Sequence, residues 1–476
     1  MKKIISVLLV LAMIFSLVSC MDEVENDPGN EPESEKTVEE STSTETPVET
    51  PAETPAETPV ETPVETPVET PVETPVETPV ETPAETPVET PVETPDPLLD
   101  EFEFTLIDDT YYELTKYKGS RAEVIIPSEY KNLPVMTIGA EAFHSCEFLT
   151  SIIVPDSITS IGASAFIYCE SLKNITVPDS VTEIGKEAFR GCLSLESITV
   201  PFVGATKDGT ENTHFGYIFG APDYSSNHIH IPSSLKTVVV TSGSSISDDA
   251  FGNCESLTSI TLPDSITSIG EDAFTYCVSL TDITIPNNVT EIGRFAFSFC
   301  ESLIDITIPD GVTSIGQACF AYCTSLTSIV IPDSVTEIGV GLFEGCTSFT
   351  NATIGPGVIA YAYGVFKLCD SLTTIIISDG VTEIGNSAFK DLYSVTSIII
   401  PDGVTKIGTM TFLGCSSLAS IVIPDSVTEI GGLAFGKCNA LTDVYYSGTE
   451  EQWKAINLSS SGNDALKNAT IHYNYN

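Results

Sequence analysis

Cysteine, histidine and carboxylate are the side chains here that could do chemistry, and their spacing decides what kind. Of 13 cysteines, eleven share one spacing: Cys146, Cys169, Cys192, Cys254, Cys277, Cys300, Cys323, Cys346, Cys369, Cys415 and Cys438, each three residues after a phenylalanine. Thiols could ligate zinc, but no CxxC pair occurs and the five histidines are scattered. Disulfides are the other use of cysteine in an exported chain. One cysteine at the same place in each repeat suggests instead a column of small buried side chains, a role free cysteine fills well. Cys319 alone is off this register and is expected to fill core space. His228 and His230 are expected to point out of one strand, where two readings stand: a metal-binding pair, or part of a structural insert. The carboxylates recur once per repeat in "PDS" and "TEIG". A repeated residue satisfies a repeated structural need, so Asp264, Asp333 and Asp425 read as turn formers. No HExxH, GxSxG or P-loop occurs. The reading is of a non-enzyme without cofactor.

The elements that carry these residues follow from a period. The phenylalanine recurs at Phe143, Phe166 and Phe189, then from Phe251 to Phe435 in steps of 23 residues, with Phe219 between the two runs. That makes about 13 rungs, the two around Phe219 stretched by seven to nine residues. In "SLTSITLPDSITSIGEDAFTYC" (256–277), apolar and polar residues alternate around Ile260, which argues a short half-buried strand ended by Pro263. Ile266, Ile269, Phe274 and Cys277 form a second inward set, and "EDAFTYC" is long enough only for a helical or 3₁₀ turn. Ordering one rung costs roughly 1–2 kcal/mol per residue, while each buried aliphatic returns about 1.5–3 kcal/mol. One rung therefore cannot fold alone, and stacked rungs must share a core. The expected fold is a curved, right-handed solenoid with a parallel β-sheet along one face and short turns on the other.

The pattern L-x-x-I-x-I/L-P-x-x-[VI]-T-x-I-G-x-x-A-F-x-x-C resembles the BspA-like, or Treponema-type, leucine-rich repeat family over about two-thirds of the chain. It departs locally: Gly355 and Ser378 stand for the strand-ending proline, and Leu392 for the cysteine. The resemblance implies a secreted or surface-attached binding protein, often an adhesin, and no catalytic residues.

The chain divides into an export signal at 1–20, an acidic tether at 21–97, a hairpin-like cap at 98–126, the solenoid at 127–446 and a closing cap at 447–476. Lys2 and Lys3 precede an apolar run too short to span a membrane comfortably. The "LVSC" ending at Cys20 resembles a bacterial lipobox, which implies lipid attachment to that sulfur. The "TPVE" and "TPAE" repeats lack core formers and carry one negative charge each, so the tether is expected to stay extended. The formal net charge is −48, about half of it in the tether, with no basic stripe; this excludes nucleic acid as a partner class.

Function in such a fold is sought on the sheet face and in departures from the repeat. Outward strand positions lie two and four residues before each proline. The former become largely apolar toward the C-terminus: Val330, Ile376, Ile399, Val422 and Tyr445, interrupted by Thr353. Two readings stand, a contact patch or β-propensity alone. The insertion in 201–247 is the second departure, since such insertions are often loops of a binding face. The expected partner is a protein or glycoprotein, with membrane attachment through Cys20. Adhesion to host matrix, mucin or other microbes is the first reading; a coat role by self-association is the alternative.

Overall fold

The computed structural model describes residues 99–355 and 364–475. The export signal, Cys20 and the whole of the tether therefore lie outside the described residues. The rest is a parallel-strand solenoid of about 15 turns. The levels beyond the 13 rungs come from the end segments, whose strands Glu123–Ile125 and Thr470–His472 each extend one of two seven-stranded parallel sheets.

Most rungs join their neighbours through three ladders, the first of which is interrupted between Asp282–Ile283 and Ser328–Val330. The first is the expected sheet: Val238, Ile260 and Ile283 are in parallel register and turned inward. The second is a row of two-residue strands at "T-x-I-G", where Ile269, Ile292 and Ile315 stack. The third runs through the segment expected to be a helical turn. It closes three-residue turns, with Cys277 N donating to Phe274 O at 3.1 Å, but it also pairs between rungs. Asp272, Phe274 and Tyr276 N–H donate to the carbonyls of Arg294, Ala296 and Ser298 at 2.7–2.9 Å. Alternate residues can all face the next rung only because Asp272 and Tyr276 have left-handed backbone, at φ 53° and 57°.

The side chains repeat this bonding. Phe274 stacks on Phe297 at 5.0 Å and 9°, and Phe297 on Phe320 at 5.5 Å and 7°. Such ring pairs add about 0.5–1.5 kcal/mol to the burial of each ring. Thr290 Oγ1 donates to Thr267 O, and Thr313 Oγ1 to Thr290 O. Thr281 and Thr373 make the same bond to the rung before in the first ladder. The recurring threonines therefore tie rungs together as well as suiting strands.

The insertion sits in one rung. Ile198 and Val238 are direct partners in the first ladder but 40 residues apart, 17 beyond the period, while Phe189 N to Ile218 O and Phe215 N to Ala250 O keep this rung in the third ladder. The next step, Val238 to Ile260, is one residue shorter than the period. The expectation of two stretched rungs is thus corrected: "VVVTSGSSISDD" carries no bulge. The aromatic column crosses this level on two rings, Phe189–Phe219–Phe215–Phe251, with centroids 5.3–6.3 Å apart.

Both ends are closed. Phe102–Ile107 and Tyr111–Tyr117 form an antiparallel hairpin whose turn residues Asp108 and Asp109 have positive φ, as a type I′ turn requires. Its second strand pairs with Leu133–Ile138, and Tyr117 stacks on Phe143 to cap the ring column. At the other end Thr449 caps the helix Glu450–Ala455 in a capping box with Gln452, and Trp453 packs edge-on against Tyr446 at 5.1 Å.

Candidate binding surfaces

Beyond half-buried Cys146 the cysteine column is buried, and its thiols have a job that burial alone does not describe. Cys277, Cys300, Cys323 and Cys346 each donate to the carbonyl of the phenylalanine one rung back, Phe251, Phe274, Phe297 and Phe320, at 3.1–3.3 Å. Those carbonyls already accept one backbone N–H, so the thiol satisfies a second lone pair inside the core. All twelve described cysteines are free. Burial pushes the Cys277 thiol up to about 12 and Cys300 well above its ordinary value, leaving neither reactive. Cys319 takes the place that Ala273 and Ala296 hold in neighbouring rungs and is buried.

On the first sheet Val330, Ile376 and Ile399 point to solvent with 62%, 54% and 65% of their surface exposed. Ile376 is the direct partner of Ile399, and Ile399 of Val422. The row fades after that. Val422 is half-buried, and Tyr445 is covered by His472 and Tyr475, both 4.8 Å away. A second exposed apolar pair, Ile125 and Ile153, is in register at the N-terminal end of the separate seven-stranded sheet that runs from Glu123–Ile125 to Asp282–Ile283. They too stand two residues before a proline, so the rule that found the first row also finds them.

His228 and His230 do not lie on a strand. Asn227–His230 is a single helical turn, on which residues two apart face different ways. His230 Nδ1 lies 3.0 Å from Ser226 O, and His228 is exposed. The histidine that matters structurally is His214. It is buried 3.2 Å from Asn227 Oδ1, and Asn227 Nδ2 donates to Gly252 O at 2.8 Å. This pair pins the insertion to the following rung, and burial lowers the His214 pKa. Beside it, Asp249 and Asp272 are both pushed up to about 6, mainly by burial and then by neighbouring carboxylates.

The insertion also opens a cleft of about 590 Å³ in the second ladder, lined by 206–210 on one side and 242–248 on the other. Thr206 bridges Glu183 in antiparallel sense, so the insertion covers the rung before it and leaves Ser245–Ile246 without a partner on that side.

Among the described residues no helix is long and apolar enough to cross a membrane. The chain matches the BspA type leucine rich repeat region in six copies, over 136–238, 244–369 and 338–463, together more than half its length. Similar solved structures include a leucine rich cell surface protein of Faecalibacterium prausnitzii, 32% identical, covering 76% of this chain and 97% of that one, with a TM-score of 0.32. A leucine-rich repeat protein of Bacteroides ovatus is 27% identical, covers 79% and 99%, and gives a TM-score of 0.43. No curated protein matches. Rungs of this pattern, stacked in this way over this length, place the chain: it belongs to the BspA-type leucine-rich repeat family.

Proposed function

We propose that the chain is a lipid-anchored bacterial cell-surface protein that binds a protein or glycoprotein partner, and that the binding serves adhesion. The leucine-rich repeat solenoid typically serves as a non-enzymatic binding scaffold. Lipid on Cys20 would hold the chain, and residues 21–97 would carry the repeats outward. The single observation that carries the reading is the row Val330, Ile376 and Ile399. Large aliphatic side chains more than half exposed on one sheet face suit a partner better than water. The acidic chain as a whole would favour soluble display and cationic partners.

The test replaces Val330, Ile376 and Ile399 together with threonine, which keeps strand propensity. Adhesion of cells displaying the full chain to immobilised matrix proteins and mucin should fall at least tenfold, while the melting temperature holds. Undiminished adhesion would overturn the contact row. Self-association in a sedimentation series, without adhesion by the parent chain, would favour a coat role. Metabolic lipid labelling that persists in Cys20→Ala would remove the anchor.

A further inference from the structure

The cleft in the second ladder is a vacancy for one strand. In the rungs that follow, two backbone N–H groups are donated to the rung before at this ladder: Thr267 to Ser244 O and Gly270 to Ile246 O, both at 2.8 Å. The same pair recurs at Thr290 and Gly293 and at Thr313 and Gly316. The equivalent groups one rung earlier are the N–H of Ser244 and of Ser247, and neither has an intramolecular acceptor. Across the cleft Thr206 N–H is unpaired as well, since its neighbours Ala205 and Lys207 make the bonds to Ile184 and Thr182.

Sequence and packing independently mark the same gap. The residue after the second-ladder isoleucine is glycine at Gly270, Gly293 and Gly316, because a Cβ there would sit 2.4–2.5 Å from backbone of the preceding rung. At Ser247 a side chain is present, and no rung presses on it. The volume of about 590 Å³ lies within the roughly 300–1,000 Å³ of small-molecule and short-peptide sites. Its lining is hydroxyl-rich, with Asp208 and Asp248 against the single basic Lys207.

We infer that this cleft binds an extended peptide segment of a partner protein by strand addition. Two carbonyls of the peptide, two residues apart, take the N–H groups of Ser244 and Ser247, as Ser244 and Ile246 serve Thr267 and Gly270. Small polar or β-branched residues face the serines and threonines, and a lysine or arginine lies against Asp208 and Asp248. The backbone supplies affinity and the carboxylates select the basic residue. This site is separate from the aliphatic row of the first sheet, and its test does not depend on that row.

The probe is a phage-displayed library of random linear heptapeptides, panned on the full-length chain. Enriched peptides should carry a basic residue among small or β-branched ones. The best, made synthetically, should lose at least tenfold in affinity to Ser247→Pro, which removes an N–H that bonds nothing within the chain. Ser245→Trp, at an exposed position of the wall, should block it independently of any backbone change. Asp208→Asn should weaken only peptides with a basic residue. The inference is overturned if no peptide is enriched, or if the enriched peptide binds Ser247→Pro and Ser245→Trp as tightly as the parent. It is also overturned if the site takes up oligosaccharides on a glycan array, lost in Ser245→Trp, and no peptide.

Discussion

Replacing Gly316 with alanine tests the close stacking on which the whole account rests. The added Cβ would lie 2.4 Å from Arg294 N and 2.5 Å from Gly293 C, both backbone atoms that no rotamer change can move. Ordinary contact needs about 1 Å more, so the rungs must part locally. The backbone bonds at risk are Gly316 N to Ile292 O at 2.8 Å and Thr313 N to Thr290 O at 2.9 Å. Each is worth about 1 kcal/mol net, and overpacking a filled site costs a further 1–3 kcal/mol or so. The backbone of Gly316 is not left-handed, so no conformational strain enters. With both bonds lost and the site overpacked, a cost of about 3–5 kcal/mol is expected, read from the urea midpoint of the full chain. Ser247→Ala, at the equivalent position beside the cleft, should stay within about 0.5 kcal/mol. A Gly316→Ala variant as stable as the parent, or a Ser247→Ala variant equally damaged, would refute the reasoning.

Thiol titration of the lipidated chain should find the eleven buried described cysteines almost silent when native, with half-buried Cys146 the first to react, and all twelve reactive once denatured without reductant. Cys300→Ala should cost about 1–2 kcal/mol from lost packing and a small cavity, and leave Phe274 O one donor short. Asp249 and Asp272 hold protons more tightly in the folded chain than their ordinary 3.8, at about 6. Their contribution to stability is present below about pH 4 and lost as the pH rises through about 6. Melting the parent and Asp272→Asn at pH 5 and 7.5 should show a smaller pH difference in the variant, and an equal difference would place those carboxylates in free solvent.

The period, the ring column and the cysteine register were legible because each is a side-chain pattern repeated at fixed spacing. So were the capping roles of Thr449 and Trp453, which local capping chemistry determines. Backbone pairing was not. Asp272 and Tyr276 look like members of a helical turn, and only the neighbouring rung draws them into left-handed backbone. The thiol bonds were hidden for the same reason, since their acceptors lie 26 residues away. His228 and His230 were misplaced because "HIHIP" alternates like a strand, whereas Asn227, bonded to Gly252 O, winds the segment into a helical turn. Ser247 was the one local clue to the cleft, a serine where its neighbours have glycine.

Near-identical rungs create a problem of counting. A chain that stacked Phe297 on Phe251, skipping a rung, would find almost the same partners and forfeit little energy where the slip occurred. Only unique features distinguish the correct count. The enlarged segment 201–236, with Phe215 and Phe219 sharing one level and Asn227 fastened to Gly252, fits a single place in the stack. It therefore serves as a registration mark, against which rungs on either side are numbered as they fold. By the same logic, whole 23-residue units between Phe251 and Phe343 could be gained or lost by unequal recombination without a misfit.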